Sequence, residues 1–294
     1  MRDISLLDDF LFKIVFGNQK YSAALVALLN AILKRQADQR IESLEIQNPT
    51  RSKDRPHEKD SVLDVKAKAC SGEFFNIEVQ LSKQSYYQER TVYYGTGMLT
   101  QQPILGKDYS ALTPCIHISL LDFILFSDQT DAHFHFVLYD QEHDLKLTDL
   151  VEFHYIEMPK FNFSNLEGLV TPLEHWLYYM RYAANFEETG ELPAQLSKQE
   201  GILMAHQAVH HALCDQQVLY ELEARKKWIL DQASNLHFAA AEGKAEGLAE
   251  GLAEGLAVGA ARGREEALRR TALSMLAGGM ERSQIFQHTG IALD

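Results

Sequence analysis

Cysteine is scarce in this sequence. The 294 residues include three, Cys70, Cys115 and Cys214, widely spaced and odd in number. That excludes a disulfide framework or a zinc knuckle and leads us to expect reduced thiols in the cytoplasm. Long apolar runs are also missing. The two most apolar windows, residues 21–33 and 111–126, fall short of a membrane span, and Pro114, His117 and Asp122 interrupt the second. Asp3, Asp8 and Asp9 occupy the start, where a secretory leader would carry basic and then apolar residues, so no secretory signal is expected, and with apolar windows this short no membrane partner either. An excess of positive charge is lacking too. Lys and Arg number 28 against 41 Asp and Glu, a formal net charge of −13. Blanket neutralisation of phosphates is therefore excluded, and any contact with DNA has to be local. The rest is ordinary: 46% hydrophobic and 23% charged residues, with a length that suits one large folded domain or one domain plus an appendage.

Residues 5–34 place Leu7, Phe10, Leu11, Ile14 and Val15, then Leu25, Leu28, Leu29 and Ile32, at spacings of three and four. This predicts two short amphipathic helices parted near Gly17 and Asn18. From Ile41 the period shifts towards two. Strands are expected over 43–47, 62–69, 74–81, 115–121, 133–139 and 153–158, with a helix over 82–102 among them. Helix, strands, helix, strands is an α/β pattern with a central mixed sheet flanked by helices. Beyond residue 171 the chain reads as helices, one of which offers Trp176, Tyr179, Met180 and Tyr182 as a buried face.

The composition then changes. Residues 241–259 repeat every four, with Gly at 243, 247, 251, 255 and 259 and Leu at 248, 252 and 256. Four residues against 3.6 per turn drifts by roughly 40° per repeat, and each Gly costs about 1 kcal/mol relative to Ala. A marginal helix that firms up against a partner, a second copy of the chain, is expected there. Residues 271–294 read either as a helix-turn-helix unit or as an amphipathic hairpin.

The chemistry concentrates in residues 61–81. If Cys70, Ser71 and Gly72 form a three-residue turn closed by a left-handed glycine, Ala69 pairs with Glu73. Leu63 then opposes Val79, Val65 opposes Ile77, and Ala67 opposes Phe75, giving one apolar face. The other face sets Asp64 opposite Glu78. A two-residue loop would shift the register and mix charged with apolar side chains. Facing carboxylates repel at Cβ separations of about 4.5–5.5 Å. A divalent cation removes the conflict, and Mg²⁺ or Mn²⁺ takes carboxylates, waters and phosphate oxygens. Such an ion lowers the pKa of bound water and neutralises charge building on phosphorus, the requirement of phosphodiester hydrolysis. Gln80 shares the face and can orient water or a phosphate oxygen. Lys66, also on it, either stabilises the scissile phosphate or helps deprotonate water, or else forms a surface salt bridge with Glu78.

The order Asp64, then Asn76-Ile77-Glu78-Val79-Gln80, resembles the PD-(D/E)XK nucleases, in the branch of Rpn-type recombination-promoting nucleases. Asp9-Phe10-Leu11-Phe12-Lys13, Glu58-Lys59, Gln88-Glu89-Arg90, Pro114-Cys115-Ile116-His117-Ile118 and Glu157-Met158-Pro159-Lys160-Phe161 follow that branch in order, as does the Glu-Gly tail. The resemblance implies a restriction-endonuclease-like core and a metal-dependent DNA endonuclease that promotes recombination. It also implies Asp64 and Glu78 as metal ligands and no organic cofactor. Gln80 departs from the superfamily, which has lysine there; a neutral amide supplies no positive charge, so catalysis must lean on the metal, Lys66 or Lys59, with weak activity as the consequence. The expected organisation is a nuclease-like core over 1–170, a helical extension over 171–238, the Glu-Gly-rich repeat over 239–270 and a helical hairpin over 271–294.

Other residues carry two readings each. Asp9 either approaches the metal or serves as a helix N-terminal charge. Arg90, beside the metal face, either holds a phosphate or lies on a core-facing helix. Residues 51–59 form either a DNA-contacting loop or a solvated one. His133 and His135 alternate with Phe134 and Phe136 as in a half-buried strand, without the nearby carboxylate or cysteine that a zinc site needs. The whole chain also admits a second function: a nuclease-like fold without turnover, acting as a DNA-binding or protein-interaction module.

Overall fold

The spacings of three and four near the N-terminus do build two helices, α1 (Asp9–Phe16) and α2 (Ser22–Ile32). The computed structural model describes residues 5–47, 65–103, 108–161 and 165–293. Asp8 caps α1, its carboxylate accepting from the Phe10 and Leu11 N–H groups at 3.0 Å each. Asn30, buried on α2, binds the backbone of Ile41 in both directions at 2.9 Å and anchors the chain as it enters the sheet.

The strands among the described residues are β1 (Leu44–Gln47), β2 (Val65–Ala69), β3 (Phe74–Gln80), β4 (Cys115–Leu121), β5 (His133–Asp140) and β6 (Leu145–Glu157). They form one mixed sheet in the order β1-β2-β3-β4-β6-β5, parallel where β3 meets β4 and where β4 meets β6. One face presents Phe75, Ile77, Val79, Ile116, Ile118 and Leu120 to the main core, which α1 and α2 share with α4 (Pro172–Thr189) and α6 (Ile202–Leu213). A full capping box at Thr171 and Glu174, with Pro172 in the first turn, starts α4. The short α5 (Ala194–Ser197) precedes α6. Helix α3 (Tyr87–Thr100) covers the opposite face, where Thr91 bonds the Tyr155 hydroxyl at 2.5 Å.

The β2–β3 hairpin has the expected register, with Val65 opposite Ile77 and Ala67 opposite Phe75. Gly72 takes φ +104°, and its N–H reaches the Ala69 carbonyl at 2.9 Å, closing the three-residue loop. Two elements differ from expectation. Helix α3 starts at Tyr87 because Tyr86 sits left-handed at φ 58° and turns the chain. Strand β6 starts eight residues earlier than expected, because residues 145–152 pair with β5 in a largely exposed arm with register shifts.

Arg35, just past α2, holds the hairpin through a bidentate pair with Glu73, one bond of which measures 2.8 Å. Burial pushes the Glu73 carboxyl up, but hydrogen bonds from Arg35 and Ser71 outweigh it and hold it below its ordinary 4.5. Because the folded value is the lower one, this contribution is present above pH 4.5 and is lost as pH falls through the folded value. Glu73→Gln should therefore lower stability near neutrality by about 1 kcal/mol. It should also flatten the acid limb of a urea-denaturation series, where an unchanged limb would exclude the pair as its source.

Two glycines of α3 make opposite predictions. A β-carbon on Gly95 would lie 2.4 Å from Phe153 Cε1, whereas one on Gly97 would meet nothing within 4 Å. Gly97→Ala should gain about 0.5–1 kcal/mol in denaturant unfolding from helix propensity alone. Gly95→Ala should lose stability as the ring is displaced. Equal effects from the two would contradict this packing.

The chain divides into two compact units, residues 1–222 and 223–294. Helix α7 (Gln216–Ala277) is continuous through the Glu-Gly repeat, and Ala272 is its one buried residue. Its repeat glycines have open space around them. Gly279 at φ +87° turns the chain into α8 (Arg282–Thr289), where Ile285 is buried. No helix among the described residues is long and apolar enough to cross a membrane.

Candidate active site

Alternation along β3 sends Ile77 and Val79 into the main core and Asn76, Glu78 and Gln80 to the α3 face. Beside Glu78 on that face stands Ser119 of β4, followed by Tyr155 of β6. Glu78 is only 4% exposed. A carboxylate so deeply placed needs compensation, and two donors meet its Oε1: Gln80 Nε2 at 2.5 Å and Arg90 at 2.5 Å. Arg90 comes from the first turn of α3, donates to Gln84 Oε1 at 2.6 Å and lies over the Tyr87 ring. The left-handed Tyr86 sets the start of that helix, a strained backbone position of the kind that clusters at functional sites.

His117 lies behind the carboxylate, with its Nε2 3.7 Å from Glu78 Oε2. The Asn76 amide donates to His117 Nδ1 at 3.1 Å, leaving the ring proton on Nε2. Burial first, then the Arg90 and Lys66 cations, push the His117 pKa down to about 4, so the ring is neutral. Burial, reinforced by the Glu78 carboxylate, likewise raises the Tyr87 phenol above its ordinary range.

Of the residues expected from sequence, Glu78, Gln80 and Arg90 come together here. Lys66 of β2 stands opposite Asn76 of β3, exposed at the margin of the same face, and its charge acts on His117. Asp9 is the first residue of α1, which packs against β3; the capping side chain belongs to Asp8. Asp64 and Lys59 lie outside the described residues, as does the loop over 51–59. His117 and Asn76 were not among the expected site residues. The signal was present: Cys115, His117 and Ser119 alternate with Ile116, Ile118 and Leu120, which marks a polar face on a strand buried on both sides.

The donor set suits a hard divalent cation. An anionic oxygen pair is held on a rigid strand beside an amide, and the site already draws a cation, the Arg90 guanidinium, onto Oε1. A mixed sheet with a buried acidic strand between flanking helices is a PD-(D/E)XK type of α/β core. A family model described as PD-(D/E)XK nuclease family transposase matches residues 6–239, and the chain belongs to that family. No curated protein and no solved structure matches it.

Proposed function

We propose that this protein is a metal-dependent DNA endonuclease that hydrolyses phosphodiester bonds and promotes recombination. The observation that carries the reading is the near-complete burial of Glu78 among Arg90, Gln80 and His117, on the face opposite the main core. Asp64 and Glu78 would hold Mg²⁺, or Mn²⁺, and the observed β2–β3 register is the one on which the expectation for Asp64 rests. When bound, the ion supplies an activated water and charge neutralisation at the phosphate.

The chain's own residues do the rest. Gln80 orients water through its amide, Lys66 meets the phosphate from the margin, and Lys59 serves as an accessory cation. Arg90 supplies beside Glu78 the positive charge that Gln80, standing at the superfamily's lysine position, cannot. A guanidinium binds phosphate oxygens in a fork, so Arg90 suits the scissile group. His117 stays neutral and backs the carboxylate without competing for the phosphate. DNA is the partner, contacted locally by an otherwise acidic chain.

Supercoiled plasmid incubated with the protein and Mg²⁺ or Mn²⁺ should be nicked or cut, and Asp64→Ala should abolish this. Equal silence from both proteins, with DNA still retarded in a gel, would replace the enzyme by a binding module. Self-association through the repeat is the second part of the proposal. Leu248, Leu252 and Leu256 are 75%, 65% and 67% exposed on a helix with almost nothing buried, and a shared interface would stabilise it. Leu252→Glu should lower the mass seen in sedimentation equilibrium; an unchanged mass would exclude this stripe.

A further inference from the structure

Strands β5 and β6 bring three ligand-bearing side chains together on the sheet face opposite Glu78. Glu152 and His154 are two apart on β6, pairing with Ile116 and Ile118 of the main-core face, and His135 of β5 stands directly across from His154. The carboxylate that residues 133–136 lack in their own stretch thus arrives from the next strand. His135 Nε2 lies 3.0 Å from Glu152 Oε2, and His154 Nε2 lies 3.6 Å from the same oxygen. One ligand atom from each of the three falls within 4.8 Å of the others. We infer that His135, Glu152 and His154 form a second metal site, one for a borderline divalent ion of the zinc class.

The donor chemistry selects the ion. Two imidazoles and one carboxylate suit Zn²⁺ and its transition-metal neighbours, whereas Mg²⁺ and Mn²⁺ prefer all-oxygen surroundings. An ion here takes the place of the proton that His135 Nε2 donates to Glu152. Lys146 approaches the other oxygen, Oε1, at 4.0 Å and leaves Oε2 to the ion. A supporting shell is present as well. His154 Nδ1 lies 3.0 Å from His133 Nε2, so with the ion on Nε2 the Nδ1 proton is donated to His133, which fixes tautomer and ring orientation. The cluster opens into a groove of about 710 Å³ also lined by Arg35 and Glu73, which leaves the fourth position to water or an exogenous ligand.

One adjustment is needed. The His135 and His154 rings are stacked, centroids 4.2 Å apart and 12° from parallel, while two bonds of about 2.0–2.1 Å to one tetrahedral ion require converging nitrogens. The His135 side chain is 45% exposed and has room to turn out of the stack.

The test uses the full chain stripped with a chelator and titrated with Zn²⁺ by calorimetry. Co²⁺ as a spectroscopic probe reports geometry through its visible ligand-field bands. One equivalent of Zn²⁺ should bind, with tetrahedral Co²⁺ bands and a raised melting temperature. His135→Ala, on an edge strand where folding is not at risk, and Glu152→Gln should abolish that equivalent. His133→Ala should weaken it by about 10–100-fold, the scale of a lost supporting hydrogen bond. Glu78→Gln, His206→Ala and His143→Ala should retain it. Absence of binding, survival of the equivalent in His135→Ala, or its loss in Glu78→Gln or His206→Ala would overturn the assignment.

Discussion

Glu78→Gln is expected to slow metal-dependent DNA cleavage by at least about 10²–10³-fold, the scale for removing even one neutral preorganised hydrogen-bond donor from a reacting centre. The substitution keeps the shape and one oxygen, so Gln80 and Arg90 retain a neighbour, but the anion that draws a cation to the site is gone. Its structural cost should be modest. Arg90 is 31% exposed and keeps Gln84 as an acceptor, so losing the charge-assisted bond should cost about 1–3 kcal/mol, not the full penalty of a stranded buried charge. Plasmid relaxation rates in Mg²⁺ and Mn²⁺, measured beside a denaturation curve, separate the two effects. A folded variant cutting at the wild-type rate would remove Glu78 from the chemistry.

Gly201→Ala should give the largest loss of stability. Gly201 precedes α6 at φ +78°, and a β-carbon there would lie 2.5 Å from Ala27 Cβ, 3.0 Å from Trp176 Cζ2 and 3.2 Å from Ala24 Cα. None of these can swing aside: Ala24 and Ala27 are fixed to buried positions of α2, and Trp176 is 1% exposed. The left-handed conformation costs an alanine about 1–2 kcal/mol, and overpacking adds about 1–3. Together they predict a loss of about 2–5 kcal/mol and a melting temperature lower by roughly 5–15 °C for a unit of this size. A melting temperature within error of the wild type would mean that α2, α4 and α6 do not meet as closely as described.

Much of this architecture follows from periodicity. The β2–β3 register was legible because a one-residue slip mixes charged and apolar side chains on one face, so the hydrophobic pattern and the three-residue turn at Gly72 agree on one pairing. Glu78 and Gln80 were legible as one face for the same reason. The early start of β6 was not, because an exposed arm buries too little for its pattern to stand out. The start of α3 was missed because a left-handed tyrosine has no marker in composition.

Residue order alone accounts for the α/β class, the hairpin turn at Gly72 and the acidic strand, since these depend on neighbours two to twenty positions apart. It set Gln80 and Arg90 beside Glu78 but was silent on Asn76 and His117 behind the carboxylate, and on Glu152 and His154 reaching His135. Those meetings join residues from separate strands and from α3. They exist only once sheet order, helix placement and the packing of Gly95 against Phe153 set the distances between elements, which no local spacing encodes.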